Sequence, residues 1–303
     1  MKNVPPFDET CGCGPDRPPR GWALITGASS GLGRALAVRC YAGGWGVILV
    51  ARREDLLRDL AAELTGPDVD APATPPTPPR VLSVPLDLAL PDALDRLEAA
   101  IAAAGLSREC VTLLLNNAGV GDHGLFLDLT PGRREEMIAL NVAALTRLAH
   151  FFAPHMRPGA TICNIASVAA FTPGPLMAVY YATKAYALSL GQALHQELRP
   201  RGVRVVTACP GPFRSEFHGR AGIGGASAPG SAGRLPSAER VADRVLAAVR
   251  RGRAVAPLGA AAWIWAVLGP RLPRGVARRF IRFLQDRRRC RCSQSEGDKS
   301  PSL

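Results

Sequence analysis

Residues 179–189, VYYATKAYALS, set two tyrosines side by side with a lysine shortly after them. Residues three and four apart on a helix are surface neighbours, so Lys184 can face either Tyr181 or Tyr180. A phenol beside an ammonium can hand a proton to an oxygen and take it back, whereas two tyrosines in core packing do no chemistry. At about 100° per residue, Lys184 lies ~40° around the helix from Tyr180 and ~60° from Tyr181. Helical geometry alone leaves both tyrosines open.

A second kind of chemistry lies upstream. LITGASSGLGRALA (24–37) places Gly27, Gly31 and Gly33 between an apolar run and a helical pattern. Glycines let the backbone approach a pyrophosphate closely, and the following helix offers free N–H groups and a positive dipole end. The spacing differs from G-x-G-x-x-G, but a strand–turn–helix context predicts a nucleotide site. ARRED (51–55) then ends the second apolar run with Arg52 and Arg53 and no acid before Glu54. At that position a carboxylate suits a free ribose 2′-OH and an arginine suits a 2′-phosphate. One charge-assisted hydrogen bond contributes about 1.5–3 kcal/mol, enough to favour NADP over NAD by tenfold or more. The competing reading is two arginines at the start of a solvated helix.

These groups need a frame that brings distant segments together. The runs at 22–26, 46–51, 80–86, 111–116, 160–166, 203–209 and 253–258 have strand length and are apolar throughout, as in strands buried on both faces of a parallel sheet. Helical patterns alternate with them around 32–43, 53–64, 91–104, 133–153, 177–199 and 237–251. Strand and helix taking turns predicts one doubly wound α/β domain of seven strands with helices on both faces. Two stretches break the rhythm. Residues 66–79 are proline-rich and read as a surface excursion; residues 219–236 are Gly/Ala/Ser-rich and read as a linker or a lid over a ligand site.

With these pieces the sequence resembles the short-chain dehydrogenase/reductase family over roughly residues 20–260. Thr26-Gly27-xxx-Gly31-x-Gly33 is similar to the family's cofactor turn, Asp87 to the acid that meets the adenine, and NNAG (116–119) to the motif ending the fourth strand. Asn141, Ser167, Tyr180 and Lys184 match the family's catalytic set, and Pro210-Gly211 matches the turn flanking the nicotinamide. The Tyr-x-x-x-Lys spacing and Ser167 upstream select Tyr180 and send Tyr181 toward packing or a subunit contact. The resemblance implies a Rossmann-like fold and an NADP(H)-dependent enzyme interconverting a carbonyl and an alcohol. It implies cofactor contacts from Gly27, Ser29, Ser30, Gly31, Leu32, Gly33, Arg52, Arg53, Asp87, Leu88, Asn117, Ala118, Gly119, Tyr180, Lys184, Pro210 and Gly211. Ser215 stands where many members carry threonine.

Each implied role has a physical reason. A tyrosine pKa near 10 must move toward ~7, which needs about 4 kcal/mol of preference for the phenolate. A nearby ammonium and the positive ring of the oxidised cofactor are the groups to supply it. Ser167 would fix the substrate oxygen, Lys184 would also bind the nicotinamide ribose, and Asn141 would hold a water linking Lys184 to solvent. A non-catalytic NADP-binding sensor or scaffold on the same fold is the alternative, as is a membrane-recruited partner protein. The intact Ser167–Tyr180–Lys184 set argues against a sensor, which needs no proton donor beside the nicotinamide.

Composition narrows the rest. The 303 residues carry a formal charge of +12, but residues 271–292 hold nine arginines against Asp286 alone, about +8 of that total. The basic character belongs to the C-terminal end, which argues against a nucleic-acid-binding domain. Residues 1–20 read as an irregular leader, 21–260 as the catalytic domain, 261–292 as an apolar and basic helical extension, and 293–303 as a disordered tail. In the extension, Val276, Phe280, Phe283 and Leu284 share a helical face with arginines around it. Such a helix packs on the domain or a sister subunit, or lies on an anionic membrane surface. A hydrophobic small-molecule substrate and a homodimer or homotetramer are the expected partners.

Among the eight cysteines, Cys40, Cys110, Cys163 and Cys209 sit in apolar runs as small hydrophobes. No C-x-x-C pair or zinc-spaced histidine is present, so no metal site is expected, and the five histidines have no motif support. The N-terminus lacks the features of a signal peptide, and a cytoplasmic location is the expectation.

Overall fold

The computed structural model describes residues 20–66, 80–214, 235–273, 275–279 and 281–283. The leader, the bulk of the proline-rich and Gly/Ala/Ser-rich stretches, Ser215, Phe280, Leu284 and the tail lie outside the described residues.

Seven parallel strands form one sheet in the order β3-β2-β1-β4-β5-β6-β7. They are β1 (Trp22–Thr26), β2 (Gly46–Ala51), β3 (Val81–Pro85), β4 (Val111–Asn116), β5 (Thr161–Ile165), β6 (Arg204–Pro210) and β7 (Val255–Leu258). Apolar side chains alternate between two cores because successive strand residues face opposite sides. Ala23 and Ile25 of β1 join one core with Leu32 and Leu36 of α1 (Gly31–Ala42), Leu57 of α2 (Glu54–Thr65) and Val245 of α7 (Ala238–Arg251). Trp22 and Leu24 join the other with Leu97 of α3 (Ala93–Ala103) and Phe152 of α5 (Leu145–Phe152). Both faces of each central strand are therefore dry, which is why these runs lack polar alternation.

The strand order reverses between β1 and β4, and in open α/β sheets ligands bind beyond the carboxyl ends of the strands at such a switch. The long helical run before β5 is not uniform. α4 (Pro131–Ile138) passes into a π-helical turn, Ala139–Ala144, before α5. By length and composition Pro131–His155 could cross a bilayer, yet it packs on the sheet through Leu145, Leu148 and Phe152, which are all buried. α6 (Ala178–Glu197) crosses β6 closely: a Cβ at Gly191 would stand 2.0 Å from Thr207 Oγ1.

The C-terminal segment packs through one face and presents another. After α8 (Ala260–Leu268), helical residues 275–279 and 281–283 turn Ala277 and Ile281 inward, at 2% and 5% exposure. Val276 and Phe283, expected on the face that packs or inserts, point outward at 56% and 51%. Among the cysteines, Cys40, Cys163 and Cys209 are buried free thiols as expected, whereas buried Cys110 is disulfide-bonded rather than a free small hydrophobe.

Candidate active site

One cleft of about 810 Å³ runs across the carboxyl ends of the strands, from Arg52, Arg53 and Asp87 to Ser167, Tyr180 and Lys184. It is lined by Gly27, Ser29, Ser30, Gly31, Leu32, Gly33, Leu88, Asn117, Ala118, Gly119, Pro210 and Gly211 as well. Every described residue expected to touch the cofactor is thus on one surface. Asn141 is the exception among the expected site residues, being buried behind it at 2% exposure.

The glycine turn is shaped for backbone approach. Gly27 and Gly31 have φ of 69° and 52°, the left-handed region that costs glycine little. A Cβ on Gly33 would lie 2.0 Å from the Gly27 carbonyl oxygen, so helix α1 and the turn pack as only glycine permits. Ser30 at the N-cap makes no side-chain hydrogen bond to the helix, leaving first-turn N–H groups for a phosphate. The neighbouring strand end is pinned: Thr26 Oγ1 accepts from the backbone N–H of Asn117 at 2.9 Å and Ala118 at 2.8 Å, and the Asn117 amide donates to Thr26 O at 2.8 Å. These features fit a dinucleotide: a glycine cradle, uncapped N–H groups and a cleft continuing past the fourth strand.

At the far end of the cleft the two arginines differ. Arg53 donates from Nη2 and Nε to Ser29 Oγ at 3.1 and 3.3 Å, joining the strand tip to the glycine turn. Arg52 bonds Glu136 at 3.0 Å and stands 3.8 Å from Asp87, so carboxylates already offset its charge.

At the chemical end, Ser167 and Tyr180 share a side-chain hydrogen bond. Ser167 Oγ also accepts from the Ala169 N–H at 3.2 Å. Lys184, one turn along α6 from Tyr180, donates from Nζ to the Ile165 carbonyl at 2.9 Å and lies 5.8 Å from the Tyr180 ring centre. Gly119 closes in from the opposite side, where a Cβ would stand 3.4 Å from Lys184 Nζ.

Asn141 sits in the π-helical turn, a distortion frequent at functional sites. Its Oδ1 accepts from the Val120 N–H at 2.9 Å, and its Nδ2 donates to Val120 O at 2.8 Å and Thr183 Oγ1 at 3.0 Å. The side chain clamps the segment after β4 to α6 beside Lys184.

Burial sets the electrostatics of the site. Tyr180 is pushed up to about 12, first by burial and slightly further by Tyr181, while the Ser167 bond opposes the shift. Burial pulls Lys184 down to about 8, since a dry site disfavours the ammonium. The protein alone therefore holds a protonated phenol rather than one poised near neutrality.

This shift has a measurable consequence. An unfolded lysine keeps its proton up to its ordinary 10.5, so from about 8 upward the unfolded chain binds more protons and stability rises with pH. The stability of the wild type relative to Lys184→Met is expected to climb by about 2–3 kcal/mol between pH ~8 and ~10. Chemical denaturation across that window measures it, and a flat difference would contradict a buried, depressed Lys184.

Tyr181 turns toward packing, as expected, and also borders the cleft. Its ring lies against Gly174, stands edge-on to Tyr180 with ring centres 6.2 Å apart, and still lines the cleft. Sequence reasoning missed the apolar wall formed with it by Val168, Met177, Phe213, Ala262, Trp265 and Ile281. The run AAAWIWAV carried a signal, since a helix packed on this domain must bury one of its two tryptophans; α8 packs on the Val168–Phe171 turn next to Ser167.

Residues 21–222 match the sequence profile described as short chain dehydrogenase. The chain belongs to the short-chain dehydrogenase family. It is 34% identical over 196 residues to a very-long-chain 3-oxoacyl-CoA reductase of Pyrenophora tritici-repentis, covering 62% of this chain and 53% of that relative. The chain thus spans about half the length of that protein. It is 35% identical over 207 residues to a sulfoacetaldehyde reductase of Chromohalobacter salexigens, covering 64% of this chain and 73% of the relative. The short-chain dehydrogenase from Sphingobium yanoikuyae in complex with NADPH superimposes with a TM-score of 0.67 at 35% identity, over 83% of this chain and 93% of the other. Other neighbours in the family were solved with NAD or NADH. These kinships make the chain an oxidoreductase-family member with a nicotinamide dinucleotide site.

Proposed function

We propose that the chain is an NADP(H)-dependent oxidoreductase interconverting a ketone or aldehyde and its alcohol, with Tyr180 as general acid/base. The observation that carries this reading is the meeting of Tyr180, Ser167 and Lys184 at one end of the cleft that begins at the glycine turn. A nicotinamide dinucleotide held by the glycine turn and Lys184 would supply or accept the hydride. Ser167 hydrogen-bonds the substrate oxygen and Tyr180 gives its proton to the alkoxide that develops there. A tyrosine at about 12 is a ready donor only while its phenolate is stabilised at the moment of transfer, and protonated Lys184, 5.8 Å from its ring centre, is the cation placed to do so. Asn141, through Val120 and Thr183, positions the segment and helix that carry these groups.

The preference for NADP rests on Arg53 more than on Arg52. Arg53 and Ser29 together present donors at the strand tip, while Arg52 is engaged by two carboxylates. Arg53→Ala is expected to lower kcat/KM for NADPH by about 10- to 100-fold, the worth of one charge-assisted hydrogen bond, with little change for NADH. Steady-state kinetics with both cofactors measures this. Equal wild-type efficiency with NADH would remove the argument.

The wall of Met177, Tyr181, Phe213 and Trp265 favours a hydrophobic carbonyl compound, in keeping with the acyl substrate in the name of one relative. Self-association is supported by exposed Leu125, Phe126, Leu127, Ile138 and Tyr186, an apolar set on and beside α4 and α6.

A further inference from the structure

The segment that closes the cleft is two-faced. Its inner side supplies Ala262, Trp265 and Ile281 to the cavity. Its outer side leaves Trp263 59%, Ile264 50%, Leu268 51%, Val276 56% and Phe283 51% exposed. Single exposed apolar residues need no explanation, but five large ones within residues 263–283 do. The charged groups around them are mostly arginines. Arg271, Arg278 and Arg279 are exposed on the same segment. A cleft of about 620 Å³ bordered by Trp263 is lined by Arg240, Arg244, Arg251 and Arg253. The acid lining it, Asp243, is held by Arg39 at 2.7 Å, and among the described residues none of those four guanidiniums is ion-paired.

We propose that this face docks on a lipid bilayer carrying anionic headgroups. Trp263, Ile264, Leu268, Val276 and Phe283 enter the interfacial layer while the arginines around them bind headgroup phosphates. A bilayer offers both things the face lacks, an apolar interior and a negative shell. A second copy of the chain is the poorer occupant, because a two-fold interface would set the same unpaired arginines against each other. Docked in this way, the protein holds the Trp265 side of its cleft at the membrane, where an apolar carbonyl compound partitions.

The test is co-sedimentation of the full chain with vesicles of phosphatidylcholine, alone or mixed with phosphatidylglycerol, at low and high salt. The protein is expected to pellet with the anionic vesicles at low salt and to be released as salt rises. Each arginine near such a surface is worth about fivefold in partitioning, so Arg278→Glu with Arg279→Glu should lower binding about 25-fold or more. Trp263→Ser with Ile264→Ser should lower it about tenfold or more, at roughly the apolar transfer value of side chains that size. Both variants should keep the wild-type melting temperature and NADPH binding. Protein left in the supernatant with anionic vesicles at low salt would overturn the proposal, as would unchanged binding in either variant. Should the tryptophan variant fail to fold, the arginine variant decides alone. A dimer or an acidic protein complex lost on Trp263→Ser, without vesicle binding, would assign the face to protein instead and equally overturn it.

Discussion

Tyr180→Phe is expected to lower turnover by about 10²- to 10⁴-fold, the range general acid–base catalysis contributes, while NADPH still binds. The change removes one oxygen from a residue that shares a hydrogen bond with Ser167 and lies 5.8 Å from Lys184 Nζ at its ring centre. The ring itself stays, so the cleft keeps its shape and the loss falls on kcat rather than on cofactor affinity. Tyr181→Phe is the matching control. Tyr181 lines the same cleft and packs on Gly174, but Lys184 and Ser167 select its neighbour. Steady-state kinetics with cofactor binding followed by fluorescence separates the two. An inactive Tyr181→Phe beside an active Tyr180→Phe would reverse the assignment.

Gly33→Ala is the second large effect. Its new methyl would stand 2.0 Å from the Gly27 carbonyl oxygen, 2.6 Å from the Gly27 carbonyl carbon and 2.7 Å from Asn117 Nδ2. Two of these atoms are backbone, so no rotamer change gives relief. The third belongs to the amide that ties β4 to Thr26. Relief requires α1 to move off the turn, displacing the N–H groups that face the phosphates. Overpacking of this kind costs about 1–3 kcal/mol of stability, and an ångström of misplacement costs about 100-fold in activity. Gly132→Ala, where an added Cβ meets no atom within 4 Å, should change neither. Wild-type NADPH binding by Gly33→Ala would show that the turn is not the phosphate cradle.

The sheet was legible because its strands are buried on both sides. Runs such as GVILVA, with every residue of β2 buried, cannot belong to an exposed surface. The cleft was legible because its residues are chain-local motifs: TGASSGLG in one turn, NNAG at the end of one strand, YYATK (180–184) within about one helical turn. Features that depend on partners far along the chain were not. Trp265 and Ile281 enter the cleft from a segment remote from Ser167, and their inward facing depends on packing that periodicity does not contain. The Tyr180 shift is a property of burial, which a motif does not report. Leu176, left-handed at φ 66° just before α6, carries no sequence mark of the kind a glycine would leave. Asn141 was singled out by the family resemblance, but its clamp on Val120 and Thr183 is visible only in three dimensions.

The central claim is that this cleft reduces or oxidises a hydrophobic carbonyl–alcohol pair with NADP(H). The most direct measurement follows NADPH absorbance in purified protein across a panel running from small polar aldehydes to bulky apolar ketones, with NADH in parallel. The account predicts consumption of NADPH that strengthens with the apolar size of the substrate, at least tenfold more efficient than with NADH. Turnover confined to small polar aldehydes, or no preference between the cofactors, would contradict it.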